Sequence, residues 1–319
     1  MSAPRDEAVT LRVTAWLAWW RRHTAHLAPV DLATLLYVAV ATAALVAFSG
    51  GSHPDWIWLL TAHVLLVALV LLAPAARAAG PVGRFLGDWY PVLLLLGLYA
   101  EVGVVNVDLG VQHDQTIQRL EQWVFGSQLS YRWIREWPNP AFSWVMHSCY
   151  LVYYGILCAS PLGLWFSGRR EAARRTILAV MVTFYVCYVV FLFFPVAGPR
   201  YAFALAQNAA TAVWPARMTQ WLLDRGDAWG AAFPSSHVAA AVVAALCALR
   251  YWRPLGLVLA PFTIGLVLSV VYGQFHYAVD AVAGLIVAVA VFASQYSYAG
   301  QRAAVTAPLA ERRLETGQA

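Results

Sequence analysis

The sequence predicts an all-α fold, a polytopic integral membrane helix bundle with about eight transmembrane helices. Of its 319 residues, 61% are hydrophobic and only 12% are charged, and the mean hydropathy is +0.62. A soluble globular domain carries about 25% charged residues. Apolar segments long enough to cross or nearly cross a bilayer recur along the chain, at 30–48, 56–75, 89–107, 141–166, 176–195, 235–250, 254–272 and 277–297.

The segments around these spans divide the chain into four regions. Residues 1–28 alternate arginine and tryptophan, as in Arg12, Trp16 and Arg21, which predicts a cytoplasmic amphipathic segment at the membrane surface. We expect two accessory transmembrane helices in 29–88, the main membrane domain in 89–298, and a disordered cytoplasmic tail in 299–319.

The arginines predict the orientation of the bundle in the membrane. All 21 basic residues are arginine, and the short loops 76–88, 167–175 and 250–253 all contain them. Cytoplasmic loops carry an excess of positive charge, so these loops and both termini are expected in the cytoplasm. The absence of lysine also excludes Schiff-base chemistry and a P-loop.

Two long outer segments, 108–140 and 196–234, lie on the opposite side. The first has a helical pattern, with Ile117, Leu120 and Trp123 set against Asp114 and Glu121, and is expected on the membrane surface. The second is too long to be a simple connection, and we interpret it as a lid over a site.

The side chains most suited to catalysis are concentrated in a predicted helical hairpin between Phe233 and Gly284. His237 follows a Pro-Ser-Ser helix start with Ser235 as its cap, and a second apolar run returns His276 to the same end of the bundle. Asp280 comes one helical turn after His276, on the same face.

These residue types suit phosphoryl transfer through histidine. A carboxylate on one imidazole nitrogen fixes the tautomer and makes the other nitrogen more nucleophilic. Helix-start amides at Ser235 and Ser236 offer donors to a phosphate, and a second histidine can protonate the leaving oxygen.

The motifs PSSH and HxxxD across a transmembrane hairpin resemble those of the type 2 phosphatidic-acid phosphatase superfamily. The chain departs from that pattern at Ser236, where glycine is usual, at Val270 for the second arginine, and at Phe193 for the lysine. Arg200 is the best substitute for the first arginine. The matching residues are Pro234, Ser235, His237, Ser269, His276 and Asp280.

Within that superfamily, three features resemble the inositol phosphorylceramide synthase and sphingomyelin synthase branch. They are the missing second arginine, the pair His276-Tyr277, and the upstream segments 113–130 and 147–155. The resemblance implies a membrane phosphotransferase or phosphatase that acts on a lipid phosphate ester through a phosphohistidine intermediate. A broad lipid phosphate or polyprenyl diphosphate phosphatase, with water as acceptor, is the alternative.

The resemblance also implies a role for each motif residue. His276 attacks phosphorus, Asp280 orients His276, and His237 protonates the leaving group and then deprotonates the acceptor. Arg200, with Ser235 and Ser236, holds the phosphate.

The expected partners are a phospholipid or lipid phosphate and a lipid alcohol or inositol-type acceptor. We expect no cofactor, no metal and no nucleic acid. The expected location is the bacterial inner membrane, with the active site on the extracytoplasmic side.

Five further residues are secondary candidates, each with an ordinary structural role as its competing interpretation. Glu101 lies inside the third span and could pair with His147 or with an alcohol substrate. His113 and Tyr277 carry similar ambiguity, and Arg225 is a weaker candidate for the phosphate.

Two other function classes remain open at this point. Two histidines and a carboxylate could hold iron or zinc, which would make this a metal-dependent membrane enzyme. A transporter would instead place charged residues along a path through the bilayer, whereas the candidate residues here cluster toward one face.

Overall fold

The structure is a computed structural model that describes residues 25–49, 55–109 and 112–295. Within these ranges every extended regular element is an α-helix, as the sequence predicts. The amphipathic segment and the tail expected in 1–28 and 299–319 lie almost entirely outside the described residues. The helices are α1 Pro29–Ser49, α2 Trp56–Ala78, α3 Gly80–Leu109, α4 Asp114–Phe125, α5 Leu129–Glu136, α6 Pro140–Leu151, α7 Tyr153–Phe166, α8 Arg170–Phe193, α9 Pro199–Ala202, α10 Trp214–Gly226, α11 Ser236–Tyr251, α12 Arg253–Tyr272 and α13 Ala278–Gln295.

The predicted spans are all present as helices. Six helices are individually long and apolar enough to cross a membrane: α1, α2, α3, α8, α12 and α13. The span predicted at 141–166 is a pair of helices, α6 and α7, bent by 41° at Val152. Helix α11 has only 16 residues, or about 24 Å, against a hydrocarbon core of roughly 30 Å. The fold is therefore a polytopic helical membrane bundle.

The boundary expected between 88 and 89 does not coincide with a helix end. Helix α3 runs without interruption from Gly80 to Leu109, with Pro91 inside it. The apolar run that begins at Trp89 starts more than two turns after the helix does, because the first turns carry Arg84 and Asp88. Apolar composition locates the buried part of a helix better than its first residue.

Helix α11 lies at the centre of the bundle, where it packs against α7, α8 and α12. Most of its buried positions are alanines, and Ala239, Ala240, Ala241 and Ala244 are fully buried. Small side chains allow helix backbones to approach closely. The approach is tightest at Gly284 of α13, where a Cβ atom would lie 2.5 Å from the carbonyl oxygen of Ser235. This contact fixes the start of α11 against α13.

At one end of the bundle, arginines and carboxylates form a buried network. The Arg77 guanidinium donates to both oxygens of Asp31, at 2.6 and 2.7 Å, and to Asp88 at 3.0 Å. Asp88 also accepts from Arg174 at 2.8 Å. The predicted arginine loops 76–88 and 167–175 therefore meet at the same end. The turn at 250–253 joins them, because the Arg169 guanidinium lies 5.1 Å from the ring of Trp252.

Candidate active site

The helical hairpin brings the two motif histidines together at the opposite end of the bundle. Ser235 caps α11 as predicted, since its hydroxyl accepts from the amide of Val238 at 3.4 Å. The chain then returns through α12 to the loop that carries His276. The rings of His237 and His276 have their centroids 5.8 Å apart. One phosphoryl group placed between them could contact both.

The tautomer of His276 is set by a backbone carbonyl. Its Nδ1 lies 2.9 Å from the carbonyl oxygen of Ala232. A carbonyl oxygen can only accept, so Nδ1 carries the proton and Nε2 is the unprotonated nitrogen. An unprotonated Nε2 is the form of histidine that attacks phosphorus.

Asp280 does not make the hydrogen bond that we expected it to make with His276. Its Oδ2 is 3.6 Å from Nδ1 of His276, which is beyond hydrogen-bond range but close enough for a charge interaction. The same oxygen accepts from the backbone amide of Tyr277 at 2.8 Å, where it caps the start of α13. Its other oxygen, Oδ1, is buried without a hydrogen-bond partner. The backbone amide of Tyr277 and the imidazole of His276 therefore compete for the same oxygen of Asp280.

His237 lies in the first turn of α11 among aromatic rings. Its Nε2 is 3.4 Å from the hydroxyl of Tyr150, and its ring centroid is 4.6 Å from that of Tyr153. Its Nδ1 is buried and has no hydrogen-bond partner. Tyr150 and Tyr153 therefore form the aromatic surroundings of His237, which the sequence did not indicate.

Arg200 enters the same site from the outer segment. Gly198, two residues earlier, has φ +96°, and a Cβ atom there would meet the side chain of Ala232 at 2.9 Å. Glycine is required for this turn. The Arg200 guanidinium pairs with Asp224 through Nη2 and lies 4.0 Å from Asp227 through Nε. Its third nitrogen, Nη1, is buried without a hydrogen-bond partner.

Asp227 is a site residue that the sequence did not identify. It accepts from the hydroxyls of Tyr99 at 3.1 Å and Tyr201 at 3.2 Å. Burial raises the pKa of its carboxyl, and the hydrogen bond from Tyr99 and the charges of His276 and Arg200 counter part of that rise. Asp227 lies two residues after the predicted candidate Arg225, and that proximity was the available signal in the sequence.

The electrostatics of the site favour a neutral His276. Burial lowers its pKa to about 4, although the charge of Asp227 and the carbonyl of Ala232 act in the opposite direction. The imidazole is therefore unprotonated at Nε2 at neutral pH, as a nucleophile must be.

These residues enclose one small cavity. Its volume is about 20 Å³, which corresponds to about one water molecule or slightly more. Most of its lining residues come from the outer segment 196–234, which we interpret from the sequence as a lid. The lining residues are Tyr99, Tyr150, Ala197, Arg200, Leu223, Asp227, Ala228, Ala231, Ala232, His237, Phe275 and His276.

Some predicted residues lie at the edge of this arrangement. Ser235 and Ser236 are buried and do not line the cavity, and the amide of Ser235 donates to the carbonyl of Asp280. Of the cations in the described ranges, Arg200 alone lines it. Val270 is buried, and its carbonyl accepts from the amide of His276, so it supports the loop without charge.

The secondary candidates do not line this cavity. Glu101 bonds to His63 of α2 at 2.7 Å and not to His147, because it faces the accessory helices. His147 is held by the carbonyl of Ser143, and the ring of His113 stacks on Phe194. Arg225 is exposed and stacks on Trp221.

Tyr277 points away from His276. Its hydroxyl donates to Asp114 and accepts from Gln118. It therefore contacts helix α4 and not the cavity.

Metal ligation was the main rival hypothesis for the two histidines. Over residues 25–49, 55–109 and 112–295, no group of three His, Cys, Asp or Glu side chains is arranged to hold a metal ion. His237 and His276 instead face one arginine and one another, an arrangement that can hold an oxyanion and move protons.

Comparison with known proteins gives one match. A family profile described as the PAP2 superfamily matches residues 115–294, which is more than half of the chain. The matched region contains His237, His276, Arg200 and Asp227. No curated protein and no solved structure matches the chain.

Proposed function

The chain belongs to the PAP2 superfamily, and from that premise we propose that it transfers a phosphoryl group from a membrane lipid through a phosphohistidine on His276. Membership in this superfamily supports lipid phosphatase or phosphotransferase chemistry in general. The observation that carries the specific proposal is the convergence of His237, His276 and Arg200 on one small cavity.

The first half of the proposed reaction forms the phosphohistidine. Nε2 of His276 attacks phosphorus in line, and the bond from phosphorus to the leaving oxygen breaks. The protonated form of His237 donates its proton to that oxygen and becomes neutral. The buried Nη1 of Arg200 has no protein partner, and it can donate to an equatorial phosphate oxygen as negative charge develops.

The second half releases the histidine. His237, now neutral, takes a proton from an acceptor hydroxyl, whose oxygen attacks phosphorus. The bond from phosphorus to Nε2 of His276 then breaks, and the imidazole returns to its starting state. Asp280, 3.6 Å from the ring, stabilises the positive charge that the imidazole carries while phosphorylated.

Entry of a substrate requires the outer segment to move. The cavity is smaller than a phosphate group, and Arg200, which lines it, is paired with Asp224, which does not. Asp224 is half exposed on α10, so the pair can exchange its carboxylate for a phosphate. The helix α10 segment would then act as the lid expected from the sequence.

We propose a lipid alcohol or an inositol-type molecule as the acceptor, and the resemblance to the synthase branch is the support for that choice. The test is incubation of purified protein with labelled phospholipids, with and without inositol or a lipid alcohol, and identification of products by mass. A phosphorylated acceptor product supports transfer, and a free lipid alcohol with inorganic phosphate or a free phosphorylated head group indicates hydrolysis. His276→Ala should give neither, and activity that chelator removes and metal restores would support the metal alternative.

We also propose that the site faces the extracytoplasmic side of a bacterial inner membrane. The arginine network lies at the other end of the bundle, and positively charged loops favour the cytoplasm. A cysteine introduced at Gln207 should react with an impermeant thiol reagent added to intact cells, and one introduced at Ser167 should not. The opposite sidedness would contradict the orientation.

A further inference from the structure

Helix α4 turns its acidic face into the protein. Asp114 is 5% exposed and Glu121 is 0% exposed, whereas Trp123 on the same helix is 83% exposed. A helix on an ordinary soluble surface would bury the tryptophan and expose the carboxylates. Burying two carboxylates costs free energy unless each one is well bonded. The contacts of Asp114 and Glu121 show what compensates for this cost.

Asp114 connects the two loops that carry the site residues. Its Oδ2 accepts from the amide of Ala197 at 2.8 Å, and its Oδ1 accepts from the amide of Gly198 at 2.8 Å. These amides come just before Arg200. Oδ1 also accepts from the hydroxyl of Tyr277 at 3.0 Å, and Tyr277 directly follows His276. One carboxylate therefore holds both loops.

Glu121 lies seven residues after Asp114, two turns along the same face. Its Oε2 accepts from the amide of Ala278 at 2.6 Å, at the start of α13, and its Oε1 accepts from the amide of Ser130 at 3.4 Å. Burial raises the pKa of Glu121, and its bonds to backbone amides oppose that rise. Glu121 therefore fixes the segment just after His276, and its hydrogen bonds go to the backbone of Ser130, Ala278 and Val279 and not to the loop before Arg200.

We propose that Asp114 and Glu121 are positioning residues, which together set the distance between the phosphate-holding Arg200 and the nucleophile His276. This inference rests on the proposed function, because it uses the roles proposed there for Arg200 and His276. Neither carboxylate lines the cavity. Asp114 acts through the Ala197 and Gly198 amides and through Tyr277, and Glu121 acts through backbone amides.

The two carboxylates have different expected effects. Asp114 holds both loops, so its loss displaces Arg200 from the phosphate as well as His276. Glu121 holds only the segment after His276, so its loss disturbs the attack and leaves phosphate binding intact. An amide replacing either side chain has one acceptor oxygen and presents an NH₂ group to a backbone N–H. A change of about 1 Å in such geometry can cost roughly 10²-fold in rate.

The test uses p-nitrophenyl phosphate with the purified full chain and measures kcat, KM and thermal midpoint. Asp114→Asn should lower kcat by about 10²-fold and raise KM by about tenfold. Glu121→Gln should lower kcat by about tenfold with KM unchanged. The matched control is Glu136→Gln on α5, since Glu136 is half exposed and pairs only with the exposed Arg132. It should change nothing.

Tyr277→Phe keeps the test decisive if Asp114→Asn does not fold. It removes one oxygen atom and leaves the bonds of Asp114 to the Ala197 and Gly198 amides in place. It should lower kcat by a factor of about three to ten with KM unchanged. A purely structural role would lower the thermal midpoint of Tyr277→Phe and Glu121→Gln while leaving kcat and KM at wild-type values, and that result would overturn the proposal.

Failure of the proposed function has a separate signature. If wild-type protein and His276→Ala show equal turnover, the proposed function is wrong and the positioning roles fall with it. If wild type is active, His276→Ala is inactive, and Glu121→Gln and Tyr277→Phe match Glu136→Gln, the positioning inference alone is wrong.

Discussion

The two ends of the bundle both contain arginines and carboxylates, but they use them differently. At the arginine-network end, Arg77 donates to Asp31 and Asp88, and Arg174 also donates to Asp88. At the other end, Arg200 pairs with the exposed Asp224 and lies farther from Asp227. In the described part of the chain, the buried atoms of Arg, His, Asp and Glu that lack a hydrogen-bond partner belong to Arg200, His237 and Asp280.

We interpret this difference in hydrogen bonding as a difference in role: one end stabilises the fold, and the other end can bind a substrate. A satisfied buried network holds helices in register, and removing one partner leaves an uncompensated charge. A site must keep donors and acceptors unfilled so that they can meet the substrate. The three unfilled atoms belong to His237, to Arg200 and to Asp280, which lie at the end of the bundle where we propose the active site.

Among the changes that would distinguish the two ends, we expect a substitution at Arg200 to lower the rate most. Arg200→Lys should lower kcat/KM by roughly 10²–10³-fold, because a point charge does not reproduce the donor fork of a guanidinium. Arg225→Lys is the matched control, since Arg225 is exposed and contacts Trp221. Steady-state kinetics on a phosphate ester measure both variants. Equal losses in the two would place the anion site away from Arg200.

The complementary change at the other end should affect stability and spare catalysis. Arg77→Met leaves Asp31 buried without its cation and leaves Asp88 with Arg174 alone. We expect this to cost roughly 3–5 kcal/mol. Thermal unfolding of the purified protein measures the loss. The kcat per folded molecule should remain at the wild-type value, and a selective fall in kcat would show that the two ends are coupled.

Asp280→Asn is expected to have an intermediate effect. Because Ala232 already fixes the tautomer of His276, the amide variant loses only the charge of Asp280 beside the ring. We expect kcat to fall by about 10 to 10²-fold, short of the roughly 10⁴-fold seen when an orienting aspartate in a Ser-His-Asp triad is replaced. A loss near 10⁴-fold in single-turnover kinetics would mean that Asp280 bonds to His276 during the reaction.

The smallest effect concerns pH. Only neutral His276 attacks, and burial lowers its pKa to about 4, so the acid limb of kcat/KM should lie well below the ordinary histidine value near 6.5. The negative charge of Asp227 raises that pKa, so Asp227→Asn should move the acid limb to lower pH. Asp224→Asn, the control, should leave it in place. Movement to higher pH in Asp227→Asn would contradict this assignment.

The architecture could be predicted from the sequence because it follows from apolar length and arginine placement. Every predicted span is a helix or a bent helix pair, and the predicted hairpin does return His276 to His237. The length and spacing of apolar runs are local properties of one chain, so a single sequence is enough to predict the helices.

The parts of the site that could not be predicted depend on contacts distant in sequence. Asp227 reaches the site because the outer segment folds back across it, and the bond from His276 to Ala232 spans 44 residues of chain. Asp280 was expected on His276 from its i+4 spacing, yet the backbone of Tyr277 competes for the same oxygen. Spacing places a side chain on a face, but it does not determine which of two nearby donors it accepts from.

The central claim is that His276 becomes covalently phosphorylated. In His237→Ala, a p-nitrophenyl phosphate ester needs no proton at its leaving oxygen, so His276 can still be phosphorylated while the acceptor is no longer deprotonated. Acid-labile phosphoenzyme should therefore accumulate, and mass mapping of the rapidly quenched variant should locate it on the peptide that contains His276. An adduct on the peptide with Ser235 and Ser236, or no adduct with turnover that chelator removes, would contradict the account.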